Sequence, residues 1–133
     1  MRSTLIVSAL VPTVCLALVF GACSKEADKA ADDKIGYVQL TNMLSDPTKK
    51  TVVLDIRRAE EVKHGMIPGA WHIPVDSLKD RLQELPRDAR IVIYCASGKR
   101  VLKAQPILRA AGYTNLYNFV SITNWRGSLE KPR

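Results

Sequence analysis

Histidine and cysteine are scarce: the 133 residues hold two histidines, His64 and His72, and three cysteines, Cys15, Cys23 and Cys95. With so few imidazoles no catalytic triad is visible, and the two histidines read as surface or structural residues. Two histidines and one cysteine outside the N-terminal stretch also argue against a dedicated zinc site, so no metal and no cofactor is expected. Aromatic residues make up only 6% of the chain, and no basic run carries them interleaved. That pattern argues against nucleic-acid binding despite a formal charge of +7. No internal repeat is present, and no apolar run reaches the ~20 residues that cross a bilayer. What is present is ordinary for a folded protein: 47% hydrophobic and 25% charged residues exclude a disordered chain. The length suits one small domain. The positive charge suits small anionic partners or acidic surfaces.

The first part of the chain reads as an export signal of residues 1–22. Arg2 supplies a positive start, an apolar stretch covers residues 5–20, and Phe20-Gly21-Ala22-Cys23 precedes an abrupt polar turn at Ser24. This resembles a bacterial lipobox, which would make Cys23 the lipidation site, although Phe20 stands where an aliphatic residue is usual. An ordinary cleaved signal and an uncleaved anchor are the alternatives. Residues 23–34 then form a polar tether, and residues 35–133 the folded domain. The implied location is a bacterial cell envelope, with the domain facing the periplasm, either held by an N-terminal lipid anchor, with an outer membrane as one placement, or soluble. Cys95 is the only cysteine left in the domain, so no internal disulfide framework is expected.

Within the domain, residues 35–38 read as an edge strand and Thr41 as the cap of a brief helix. Residues 51–55 are β-branched and apolar, as a buried parallel strand requires. Residues 58–64 predict a short helix, 70–73 a short strand, and 77–85 a helix on the spacing of Leu78, Leu82 and Leu85. Residues 90–94 are the clearest strand. A helix from about Lys99 to Ala111 follows, with Gly112 beyond its end and Pro106 inside it, where the lost N–H predicts a kink or an unpaired carbonyl. Residues 115–117 predict a last strand and 122–129 a terminal helix. Strands alternating with helices give an α/β domain with a mainly parallel sheet.

Ligands of open α/β sheets bind beyond the carboxyl ends of the strands, where Cys95 falls. The helix after it offers unpaired N–H groups and a partial positive charge. Gly98 lets the loop bend so that its amides converge, and Lys99 and Arg100 add two cations. All of these favour thiolate over thiol and would hold an oxyanion beside the sulfur. Cys95 is therefore the candidate nucleophile, and Ala96, Ser97, Gly98, Lys99 and Arg100 are the candidate substrate-binding loop. An isolated cysteine at a strand end would read as a small buried residue. The Cys-x-x-Gly-x-Arg arrangement after an apolar strand favours function instead.

Four segments, in order, resemble the rhodanese family, most closely the short periplasmic rhodaneses of the phage-shock-protein-E kind. They are Leu54-Asp55-Ile56-Arg57 with Glu60-Glu61; Gly65-Met66-Ile67-Pro68-Gly69-Ala70 followed by His72-Ile73-Pro74; Ile93 through Arg100; and Gly112-Tyr113 leading to Tyr117-Asn118-Phe119 and Trp125. The resemblance implies a rhodanese-like α/β fold with a five-stranded, mainly parallel sheet flanked by helices. It implies a sulfurtransferase in which Cys95 carries a persulfide between a small anionic sulfur donor, such as thiosulfate, and a thiol or cyanide acceptor. Asp55, Arg57 and Glu60 match a framework motif of ion pairing and loop support. Met66 stands where histidine is common, Val101 replaces a small or hydroxyl residue, and Val120-Ser121 replace two glycines. Since φ > 0 is costly without glycine, a different connection is expected at Val120. Two other readings remain: a non-catalytic binding module of the same fold, and a phosphatase or arsenate reductase, whose oxyanion loop has five residues between cysteine and arginine where this chain has four.

Overall fold

The computed structural model describes residues 33–132. The export signal with Cys15, the lipidation candidate Cys23 and the tether as far as residue 32 lie outside the described residues. The elements run in the order α1 (Tyr37–Ser45), β1 (Thr51–Asp55), α2 (Ala59–Val62), β2 (Trp71–His72), β3 (Arg90–Cys95), α3 (Lys99–Ala110) and β4 (Leu116–Ser121). The strands form one parallel sheet in the order β2-β1-β3-β4. The two central strands are nearly continuous runs of Val, Ile and Leu, the composition of strands covered on both faces.

Alternation along β3 builds two cores. Ile91, Ile93 and Cys95 join Val52, Leu54 and the inward residues of α3, Val101, Ala104 and Leu108. Val92 and Tyr94 face the other way, with Val53, Ile67, Phe119 and Leu40 of α1. The nucleophile candidate is thus also a core residue on the α3 side. The end of α3 is fixed by a Schellman pattern: Gly112, at φ +91°, donates to Arg109 O at 2.9 Å, and Tyr113 donates to Leu108 O at 3.1 Å. Pro106 does not break α3. It stands on the exposed face with Leu102, so the carbonyl it leaves without a donor belongs to a solvent-exposed residue.

Several expectations are corrected. The sheet has four strands among the described residues, not five. The edge strand expected at residues 35–38 shrinks to a single parallel bridge of Lys34 with Asn118, reinforced by Ile35 N–H to Asn118 O at 3.0 Å and Asn118 N–H to Asp33 O at 2.9 Å. The chain then leaves the sheet because Gly36 starts α1, its N–H held by Gln39 Oε1 at 2.9 Å. Burial of Leu40 anchors that helix, and Thr41 lies inside it instead of capping it. The helix expected at 77–85 is two 3-10 turns, Leu78–Asp80 and Leu82–Glu84, broken at Arg81. The Tyr113 hydroxyl takes up the Leu82 carbonyl at 2.6 Å, and Leu78 and Leu85 still reach the core. The terminal helix is a single turn, Ile122–Asn124. Beyond it Trp125 Nε1 bonds Ser128 O, and Glu130 pairs antiparallel with Met66.

Candidate active site

β3 delivers Cys95 to the carboxyl edge of the sheet, and Gly98 opens α3 three residues later at φ +85°. That left-handed turn brings the Gly98 N–H to 3.0 Å from Cys95 Sγ. The N-cap amide of a 12-residue helix therefore donates directly to the sulfur. Ser97 and Lys99 are exposed, and Ala96 is half-buried. Of the expected loop, the Gly98 amide contacts the sulfur, while the Ser97 and Lys99 side chains face solvent.

Arg100 is otherwise engaged. Its guanidinium grips Glu61 of α2 at 2.6 and 3.2 Å, with both side chains about seven-tenths buried. Burial works against ionisation of Glu61, but the Arg100 hydrogen bond and charge and the Arg58 N–H outweigh it and hold its carboxyl below the ordinary value. Glu60, which the resemblance places in the framework motif with Asp55 and Arg57, makes an exposed pair with Lys63. Val101, which would carry the arginine of the longer oxyanion loop, is wholly buried against the sheet.

The sulfur itself is covered. Cys95 is 1% exposed. Its thiol points to the Val120 carbonyl at 3.7 Å, and a Cβ placed on Gly98 would lie 2.8 Å from Val120 Cγ1. Contrary to expectation, Val120 keeps the left-handed backbone, at φ +68°; it is the one non-glycine residue among those described with positive φ. The cause is a bulge. Ile93 pairs with Asn118 and Tyr94 with Val120, so Phe119 is extra, and Asn118 Oδ1 takes the Val120 N–H at 2.7 Å. Ser121 then donates its hydroxyl to the Ala96 carbonyl, tying β4 to the loop.

Behind the loop lies a buried polar knot. Arg57 reaches Asp55 through Nε at 3.0 Å and Nη2 at 2.6 Å, and Gly65 O through Nη2 at 2.7 Å. Tyr94, the residue before Cys95, donates to Asp55 Oδ2 at 2.6 Å and accepts from the Ile67 N–H at 3.1 Å. Burial, and then the Asp55 charge, push the Tyr94 phenol well above its ordinary value. For Arg57, burial opposes the charge, but Asp55 more than offsets it. His72 Nε2 lies 2.9 Å from Arg57 O, and His64 is exposed. Met66 is buried and lines a cavity of about 310 Å³ with Gly69, Ala70, His72, Glu130 and Pro132.

Glu61, Tyr94, Val120 and Ser121 are the site residues that sequence reasoning did not assign. Glu61 sits beside Glu60, and only helical phase separates the two roles. The phase of β4 against the loop depends on a bulge that no local motif announces.

Comparison with known proteins agrees with this architecture. The family model for the rhodanese-like domain matches residues 37–127. A sulfurtransferase of Allochromatium vinosum is 36% identical over 86 residues, covering 65% of this chain and 79% of that protein. A human thiosulfate:glutathione sulfurtransferase is 36% identical over 93 residues, covering 59% and 79%. The crystal structure of a rhodanese-like domain protein from Staphylococcus aureus superposes with a TM-score of 0.67 at 30% identity, covering 75% of this chain and 98% of that one.

Proposed function

The chain belongs to the rhodanese-like domain family, and from that premise we propose that it moves sulfane sulfur from thiosulfate, or a similar anionic donor, to a cyanide or thiol acceptor through Cys95. The Cys95 thiolate attacks the outer sulfur of the donor. A new S–S bond forms, the donor's S–S bond breaks, and sulfite leaves with the electron pair. The acceptor anion then attacks the outer sulfur of the persulfide, takes it as thiocyanate or a new persulfide, and returns the Cys95 thiolate. Sulfite is already an anion, so the leaving group needs no proton, and a pre-organised amide and a cation are sufficient help. The observation that carries this reading is the Gly98 N–H, 3.0 Å from Sγ at the mouth of α3, with Lys99 beside it.

A second reading, a non-catalytic binding module, is favoured by two observations: the sulfur is closed off, and Arg100 is bound to Glu61. Intact mass after incubation with thiosulfate separates the two. Sulfur transfer gives a gain of about 32 Da that cyanide or a reductant removes and that Cys95→Ala lacks; a binding module gives no adduct. We further propose that the chain acts in a bacterial envelope of the short periplasmic type, anchored through acylated Cys23. Metabolic labelling with a fatty acid, lost in Cys23→Ala, tests this.

A further inference from the structure

We propose that Val120 is the specificity-determining residue of this site, a cover on Cys95 that admits compact sulfur donors and slows bulky ones. The proposal refines the sulfurtransferase reading and rests on it for the identity of the substrates. Three observations converge on the residue. Its carbonyl takes the Cys95 thiol, and its Cγ1 packs on Gly98, the residue whose amide donates to the same sulfur. It is itself only half-buried, so the residue that touches the covered sulfur also reaches solvent.

The third observation is the backbone. A β-branched residue at φ +68° is held in a costly conformation. The Phe119 bulge and the Asn118 side chain hold it there, and Ser121 fastens the next residue to Ala96. Strain of that kind gives the segment a nearby relaxed alternative. Rotation of the Val120 unit would break the weak S–H contact, the methyl contact on Gly98 and the Val120 N–H bond to Asn118, and would uncover the sulfur. The opening needed for a two-sulfur anion is smaller than for an aryl or peptidyl donor, and selectivity by size follows.

Cys95 modification by iodoacetamide, timed by mass spectrometry with peptide mapping, reads the cover directly in the full chain. A cover open in about one molecule in ten or fewer lowers the observed rate by that fraction. Val120→Ala and Val120→Gly, each checked for unchanged circular dichroism, are expected to react about tenfold faster than the unaltered protein. They are also expected to gain more kcat/KM with an aryl thiosulfonate than with thiosulfate. Equal alkylation rates in all three proteins overturn the proposal. So does a native Cys95 that reacts as fast as in the urea-unfolded chain, a measurement that needs no variant. Sulfur loading is read on the same samples. If no protein gains sulfur from any donor while both variants alkylate faster, the cover stands and the transferase reading falls.

Discussion

Asp55→Asn removes one charge and no volume from the centre of the polar knot behind Cys95. In the native domain the Asp55 carboxylate, 0% exposed, accepts from the Arg57 N–H at 2.9 Å, from the Arg57 guanidinium at 2.6–3.0 Å and from the Tyr94 hydroxyl at 2.6 Å. An amide keeps one oxygen and turns an NH2 toward donors. Arg57, itself 5% exposed, then retains chiefly the Gly65 carbonyl. Breaking a buried pair from one side costs about 3–5 kcal/mol, because the surviving charge is left uncompensated. Small domains are stable by only about 5–15 kcal/mol, so this is a large share. Tyr94→Phe deletes the bond to the same carboxylate, also takes the acceptor from the Ile67 N–H, and should cost about 1.5–3 kcal/mol. Urea unfolding with linear extrapolation measures both, and the double variant should fall well short of their sum, since the two residues share one oxygen. A loss below about 1 kcal/mol for Asp55→Asn would refute the view that this knot is desolvated and charge-compensated.

The Glu61–Arg100 pair predicts opposite effects from neighbouring charges. Lys99→Ala should raise KM for thiosulfate about two- to fivefold and Glu61→Gln, by releasing Arg100, should lower it by a similar factor, as expected for charges fully or partly open to solvent and worth about 0.5–1 kcal/mol. Unchanged KM in both variants would remove electrostatic capture from the mechanism. Tyr94 predicts an alkaline limit. Its phenol is raised in the folded state, so the stability it contributes is complete below the ordinary value of 10.0 and erodes as pH rises beyond it. Urea midpoints followed across about pH 8–11 should fall more steeply for the unaltered protein than for Tyr94→Phe, and parallel curves would contradict the assignment.

Much of this arrangement was legible in the residues. The apolar runs of β1 and β3, the helix after Gly98 and the placement of Cys95 at a strand end follow from local chemistry alone. The errors share a cause, which is competition from distant partners. Ile35, Tyr37 and Val38 favour a strand, yet Gly36 and the burial of Leu40 make α1. Leu78, Leu82 and Leu85 have helical spacing, but Arg81 breaks the segment and Tyr113, distant in sequence but in the same core, takes its carbonyls. Residues 122–129 carry Gly127, packed within about van der Waals reach of the Trp125 ring, and the tail is drawn across to Met66 instead. At the site, the loop from Cys95 to Arg100 could be read, but its roof could not. Valine disfavours the very backbone it adopts at position 120, and the bulge at Phe119 of β4 overrides that preference.

Asn118 is where the incoming peptide meets the sheet: its main chain binds Asp33 and Ile35, and its side chain steadies the amide of residue 120. Trimming the protein to begin at Gly36 would spare every named helix and strand, and the residue that starts α1, while deleting both of those main-chain bonds. A shortened version prepared for crystallisation or assay would thereby loosen the sulfur's surroundings from a distance, and its reactivity would not stand for that of the longer chain.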